Sequence, residues 1–563
     1  METSTQQLSG AKIIMKVLRE EKVDTIFWYP GGAALPVYDA LYGELQLKHY
    51  RATHEQQAIH AADGYARSTG KVGVCMATSW PGALNLVTGI ATANADSSPI
   101  VVITANVPKT LLGKNAFQEA DFTAIVKPIS KAQFLVTDVK EVANALREAF
   151  FLARSWRPGP VVVDITKNAL TDITEYTPQE PKKEEKKSVS IDEQTFETAI
   201  DLINSAQKPF VLVGGGVHLS GANEEVYQLV KKINAPVCNT LMGKGDFPET
   251  DELYMGMIGM HGTKTTNKGI GECDLIIALG TRFSDRVTGN TKTFAKKAKI
   301  LHIDIDPLEI GKNVPVTASI VGDLKDILQQ LDPYIQETTH EEWIAYLQTL
   351  RHQYTVSTHK TLLTCPSVIE EMYQQTKGEV IITTEVGQHQ MRTAQYYKFK
   401  KKRSLITSGG FGTMGFGLGA AIGVQIGNPD KRVINVAGDG CFRMNSNELL
   451  TAVENHLPII QIVINNNSLG MVRQWQSLFC DQKYSATDMN DQADFVAMSR
   501  GLGARAFRAT TLEEFKNIFQ QALQEKSGPT VIVCEIGKDD KVFPMVAPGS
   551  SIDDCFDEND GYC

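Results

Sequence analysis

The 563-residue chain has no CxxC pair, and its nine cysteines are odd in number. That argues against a disulfide framework, and free thiols in a reducing compartment are the expected state. No apolar run is long enough to span a bilayer, and the opening METSTQQLSG lacks the apolar core of a secretory signal. The expected location is therefore the cytoplasm, without a membrane partner. An excess of positive charge is also missing, with 56 basic against 65 acidic residues and a net charge of −9. Nucleic acid is excluded as the main partner on that balance, and the one basic run, Lys398 to Arg403, reads as a solvated surface loop. No short-period repeat is present. Hydrophobic residues make up 42% and charged residues 21%, which suits a globular protein of about three ordinary domains.

What is present is a repeated alternation of helical and strand-like segments. DTIFW, VGVCMAT, PIVVITANVP and PVVVDITKN are buried-strand patterns separated by helical ones. They predict a doubly wound parallel sheet over residues 1–176. Residues 177–190 are charged, contain prolines and lack an apolar period, which predicts a linker. A second α/β unit spans 191–335, through PFVLVGGGVHLSGA, CDLIIALGTRFSDR and ILHIDIDP. A helical connector follows over 336–364, and a third unit over 365–545 contains EVIITTEVG and PTVIVCEIG. The tail, 546–563, is expected to be irregular and mobile. The fold class is α/β with three doubly wound domains, and the first and third share a rhythm that suggests relatedness.

The most informative stretch runs from Val433 to Leu469. The strand VINVA stops at Gly438-Asp439-Gly440, and a helix is predicted with Asn445 or Ser446 as N-cap and Glu448 in its first turn. A second strand, IIQIVI, ends in Asn465-Asn466-Asn467. A right-handed crossover makes the strands parallel and puts Asp439 and Asn466 at carboxyl ends, where open α/β sheets bind ligands. A carboxylate, an amide oxygen and a backbone carbonyl suit a hard cation whose remaining ligands are phosphate and water. Glycines allow backbone N–H groups to approach the phosphates. Asp-Gly alone is a common turn, but the whole strand–GDG–helix–strand–NN pattern is specific.

This stretch resembles the thiamine diphosphate signature of the thiamine-dependent decarboxylases and carboligases. The resemblance then narrows to the acetohydroxyacid (acetolactate) synthase catalytic subunit and covers nearly the whole chain. It rests on YPGGA (from Tyr29), AFQE (Ala116), RPGPVVVDITK (Arg157), TLMGKG (Thr240), GMHG (Gly259) and RFSDRVTG (Arg282). HIDID (His302), VGQHQM (Val386), GTMGFG (Gly412) and GMVRQWQSLF (Gly470) complete it, in order.

The resemblance implies thiamine diphosphate, Mg2+ and FAD as cofactors. The reaction it implies is a decarboxylating condensation of pyruvate with pyruvate or 2-ketobutyrate, leading to branched-chain amino acids. Asp439, Asn466 and the Ser468 carbonyl would hold Mg2+. Glu55 would activate the aminopyrimidine, with Tyr29, Gly31, Gly32, Pro81 and Asn85 around it. Val386, Gly387, Gln388, His389, Met414, Gly438, Gly440, Cys441, Leu469, Gly470 and Met471 would line the rest of that cofactor, Met414 as a wedge beneath it. Gln118, Phe117 and Lys167 would border the reacting substrate. Arg286 would grip the acceptor carboxylate, in a pocket shaped by Trp475, Met471, Val472 and Met260. FAD would occupy Arg157, Gly214, Gly215, Gly216, Thr240, Leu241, His261, Gly280, Arg282, Arg286, Asp304, Ile305 and Asp323, although GGG is not the dinucleotide GxGxxG fingerprint. The partners implied are small 2-ketoacids, a second copy of the chain in a homodimer or homotetramer with the active site at the subunit interface, and a small regulatory subunit.

Several positions depart from the family pattern: Trp28, Gln57, Trp80, Leu84, Ala105, Asn106, Asn115, Asn168, Ser284, Arg392 and Cys441. The first five are expected in loops or strand ends near the aminopyrimidine, where added bulk costs about 1–3 kcal/mol unless the surroundings repack. A compensated synthase is the first reading. A related carboligase or decarboxylase with altered substrate, a pyruvate oxidase-like flavoenzyme and a non-catalytic homologue are the alternatives.

Overall fold

A computed structural model describes residues 5–183, 189–354, 362–489 and 493–558. Three six-stranded sheets, parallel throughout, carry the chain in sequence. The first orders its strands Lys48–Arg51, Thr25–Trp28, Gly73–Ala77, Ile100–Asn106, Pro160–Thr166 and Ala132–Val136. Counted along the chain this is 2-1-3-4-6-5. The third sheet, with Leu405–Ile406, Ile381–Thr384, Val433–Gly438, Ile460–Asn465, Thr530–Glu535 and Arg505–Ala509, has the same order. The central sheet differs: Tyr254–Met257, Val237–Asn239, Pro209–Val213, Leu275–Leu279, Lys299–Asp304 and Ala318–Val321, or 3-2-1-4-5-6. The inner strands are buried on both faces, which is why they read as continuous apolar runs.

A short antiparallel pair, Gln6–Ser9 with Ile173–Tyr176, ties the two ends of the first domain together. Linker residues 177–183 run without regular structure, and 184–188 lie outside the described residues. The connector is a helix, Glu341–Gln353, whose Trp343 and Leu347 are buried in the central domain's core.

The first and third domains dock through two helices, Glu55–Thr69 and Gly417–Gly427. A Cβ on Gly423 would lie 1.8 Å from the Ala61 carbonyl oxygen, and one on Gly64 would lie 2.2 Å from that of Ala420. Only glycine permits backbones this close. A buried ion-pair network seals the joint. Arg67 holds Asp63 at 2.6 Å and Asp96 at 3.0 Å, and Asp96 accepts the Gly409 and Gly410 N–H groups at 3.2 and 2.7 Å.

Two expectations need correction. The helix after GDG begins at Asp439 and runs to Asn445, and Ser446–Glu448 is a separate 3-10 turn. Extended Gly438 is the N-cap of that added helix, and the Asp439 carboxylate takes the Gly440 N–H at 3.0 Å, whereas Asn445 caps Ser446–Glu448, which has Glu448 in its first turn and runs into the helix Leu449–Glu454. The tail is irregular but anchored as far as it is described. Met545 and Phe556 exchange backbone hydrogen bonds at 2.9 Å, Ile552 is buried, and Lys264 pairs with Asp557 at 2.6 Å. Residues 559–563 lie outside the described residues.

Candidate active site

Strands Val433–Gly438 and Ile460–Asn465 are adjacent and parallel, so Asp439 and Asn466 share one carboxyl edge. Asp439 is 1% exposed. One of its oxygens accepts from Gly440, while Oδ2 is buried without a hydrogen-bond partner. Burial pushes its pKa up to about 7, so an ionised Asp439 calls for a cation. The Asn466 amide oxygen accepts the Ser468 N–H at 3.1 Å, and its Nδ2 faces Gln388 Oε1 at 3.5 Å. Among the described residues no three His, Cys, Asp or Glu side chains cluster. A metal here must therefore use amide and carbonyl oxygens beside the single carboxylate.

Helices Gln388–Tyr396 and Gly470–Phe479 begin beside this edge, and Gln388 bonds Gln474 at 2.9 Å. Helix N-termini favour phosphate. His389 is buried, its pKa pulled down to about 3 by desolvation, and its Nε2 has no hydrogen-bond partner. Gly387 has φ +148°, a backbone conformation suited to glycine. Leu469 and Met414 lie over Gly440. Cys441 is buried with Sγ 3.2 Å from the Val386 carbonyl, a structural contact. The orphaned Asp439 oxygen, the orphaned His389 nitrogen and the helix ends together fit a metal–diphosphate group.

The first domain holds a second set. Glu55 opens the Glu55–Thr69 helix, capped by His54, whose Nδ1 accepts the Gln56 N–H at 3.1 Å. Its carboxylate is buried and accepts from Asn85 Nδ2 at 2.8 Å, close beneath Gly82. Tyr29, Gly31 and Gly32 follow the strand Thr25–Trp28, and Gly31 backs onto Thr78. Phe117 is 88% exposed, Gln118 has φ +60°, and Lys167 is exposed at the start of Lys167–Thr171. Glu119, given no role in the sequence reading, gathers the N–H groups of Gly113, Lys114 and Ala116 and shapes this loop.

A cavity of about 1570 Å³ lies between the central and third domains and receives Arg157 from the first. Gly214–Gly216 and Gly280–Arg282 leave adjacent strands at the point where the 3-2-1-4-5-6 order reverses, the position at which doubly wound sheets take dinucleotides. Gly216 and Gly280 cross so tightly that a Cβ on either would sit 2.6 Å from the other's Cα. Gly215, Gly216, Thr240, Leu241, His261, Gly280, Arg282, Asp304, Ile305 and Asp323 all line the cavity, whereas Gly214 is spent on the crossing. Met260, Arg286, Met471, Trp475, Val386 and Gly387 line its other parts. Val472 does not, and is 51% exposed. Arg286 is largely exposed, 3.4 Å from Asp285. His261 donates from Nδ1 to the Pro544 carbonyl at 3.3 Å. Met242, Gly409 and Gly410 also line the cavity and were not foreseen, because long-range packing brings them there. No residue of the Glu55 set lines it, and neither do Asp439 and Asn466.

Three family models match in sequence: the thiamine pyrophosphate enzyme N-terminal TPP binding domain over residues 8–125, the central domain over 196–331, and the C-terminal TPP binding domain over 385–534. The acetolactate synthase large subunit of Corynebacterium glutamicum is 45% identical, covering 98% of this chain and 90% of its own. That of Haemophilus influenzae is 39% identical over 98% of both. A probable acetolactate synthase large subunit of Methanocaldococcus jannaschii is 43% identical over 97% and 94%. The chain belongs to the acetolactate synthase large-subunit family. It is a thiamine diphosphate enzyme.

Against that family pattern the departures fall in unequal places. Trp28 does not stand in a cofactor loop. It ends a strand with its ring 1% exposed in the first-domain core, 4.1 Å from the Tyr38 ring and 5.9 Å from His49. Its bulk is absorbed by an aromatic cluster. Ala105 is likewise buried in that core. Trp80 and Leu84 are partly buried against the core shared by the first and third domains. Gln57 reaches across the joint and donates to the Gly415 carbonyl at 3.0 Å, next to Met414. Asn106 donates to Asp164 at 2.6 Å, and Arg392 pairs with Asp540 at 3.2 Å.

Proposed function

We propose that this enzyme condenses pyruvate, with loss of carbon dioxide, onto a second 2-ketoacid (pyruvate or 2-ketobutyrate), giving acetolactate or acetohydroxybutyrate for branched-chain amino acid synthesis. The observation that carries the reading is the continuity of the cavity, from Arg286, Met260 and Trp475 to the Val386–Gly387 turn, whose Val386 carbonyl lies 3.2 Å from Sγ of Cys441, two residues past Asp439. A 2-ketoacid pocket would thereby lie beside the candidate diphosphate edge.

Mg2+ would sit between Asp439, Asn466 and the Ser468 carbonyl, and FAD in the central cavity. Thiamine diphosphate supplies the electron sink for carbon dioxide loss from a 2-ketoacid. Glu55, buried at a helix N-terminus, holds the proton at the aminopyrimidine nitrogen. His389 would face the diphosphate, and Met414 would pack against the thiamine moiety. Arg286 presents a planar guanidinium to the acceptor carboxylate, while Trp475, Met260, Met471 and Val472 bound its alkyl group. Phe117, Gln118 and Lys167 close the donor side.

In this reading the complete centre forms between two copies, the Glu55 set of one meeting the Asp439 set of the other. Phe117, 88% exposed, and the neighbouring exposed Leu111 fit a surface covered by a partner subunit. A homodimer or homotetramer in the cytoplasm, joined by a small regulatory subunit, completes the reading. Among the described residues no helix is long and apolar enough to cross a membrane. The purified protein should form acetolactate from pyruvate with thiamine diphosphate and Mg2+, detected after conversion to acetoin. Absence of product from fully loaded protein would sink the proposal.

A further inference from the structure

Trp156 is the least expected residue in the cavity wall. It is 68% exposed, lines the cavity and has φ +51°. A bulky side chain at positive φ is an outlier in a conformation that glycine occupies without cost. Strain of this kind persists at sites where a ligand makes use of the side chain.

Its surroundings identify the ligand. Arg157, the next residue, bonds Asp306 Oδ2 at 3.0 Å and Glu309 Oε1 at 2.9 Å. The Asp306 N–H in turn donates to Asp304 Oδ1 at 3.0 Å. Asp304 ends the fifth strand of the central sheet, beside the switch point, where an acidic side chain meets the ribose of a dinucleotide. A run of direct contacts thus joins Arg157, the residue after Trp156, to the candidate ribose acceptor Asp304.

We propose that Trp156 is the stacking platform for the adenine ring of the dinucleotide, so that it sets the cavity's preference for an adenine-bearing flavin over a flavin mononucleotide. This rests on the FAD reading above. An indole face accepts any planar base, and the guanidinium of Arg157 leaves the neighbouring space to the ribose and phosphates.

The apoprotein, with W156L, W156F and W156G, is titrated with FAD, FMN and ADP, following flavin fluorescence and ADP competition. W156L and W156G should lose FAD and ADP affinity by roughly tenfold or more, the scale of one base–aromatic stack. W156F should keep most of it, and FMN binding should be unchanged throughout. W156G should also melt at a higher temperature than the parent, since the strained backbone is relieved while the platform is lost. FAD binding equally tight in W156L and the parent would overturn the stacking role and leave the FAD reading intact. A parallel loss of FMN would also overturn it, as a general collapse of the pocket. A parent protein that binds neither FAD nor ADP would overturn both.

Discussion

The first and third domains are the same sheet used twice. Both run 2-1-3-4-6-5, and both open a helix at a carboxyl edge with an acidic residue, Glu55 in one and Asp439 in the other. The two carboxylates are nevertheless in opposite situations. Glu55 is buried and hydrogen-bonded by Asn85, whereas one oxygen of Asp439 is buried with no partner among the described residues. In the proposed function one carboxylate would exchange a proton with the cofactor and the other would take a cation. The common fold supplies the edge, and the residues placed on it decide the chemistry.

The largest effect should come from separating those roles. Glu55→Gln keeps size and burial but removes the acid, and is expected to lower kcat about 10²–10⁴-fold with cofactor affinity nearly unchanged. Asp439→Ala is expected to do the reverse in form. Its deficit should appear as weaker thiamine diphosphate and Mg2+ binding, recovered in part at high concentrations of both. Steady-state rates over a cofactor titration distinguish the two patterns. If both variants show the same pattern, the comparison between the edges breaks.

Much of this architecture was legible because parallel strands buried on both faces need continuous apolar runs. The edge strands Lys48–Arg51 and Ala132–Val136 escaped, since solvent on one side removes that requirement. Asp439 and Asn466 were legible because a local motif carries them, and the switch-point cavity follows only from strand order. The Asp96 contacts with Gly409 and Gly410 link residues more than 300 positions apart and leave no local trace. Trp28 lies at the end of the strand that DTIFW predicts, and only the aromatic cluster that absorbs its ring, with Tyr38 and His49, left no local trace.

The joint between the two domains offers the next test. Gly423→Val would drive a side chain into the Ala61 carbonyl, a backbone group with no rotamer to escape into. A loss of about 1–3 kcal/mol in urea denaturation is expected, the usual cost of overpacking. Gly501→Ala is the control, since a Cβ there meets nothing within 4 Å. Equal stability of the two variants would mean that the helices separate readily and that the docking is loose.

The smallest effect concerns one ladder position. In the first sheet Thr104 faces Asp164 across neighbouring strands, and the corresponding pair in the third sheet is Ile464 and Cys534. Burial pushes Asp164 up to about 6, against 3.8 for an ordinary aspartate, although Thr104 and Asn106 both donate to it at 2.6 Å. The native protein therefore holds a proton that the unfolded chain releases between those two values. Protonation stabilises the fold below about pH 4, and that contribution is lost as pH rises to about 6, by no more than about 3 kcal/mol. Cys534, whose thiol burial raises, stays neutral throughout and adds no slope. Asp164→Asn should flatten the pH dependence of stability across this window and be the more stable form at pH 7. Parallel curves for variant and parent would mean that Asp164 is already ionised in the native sheet at pH 4, its two donors outweighing its burial.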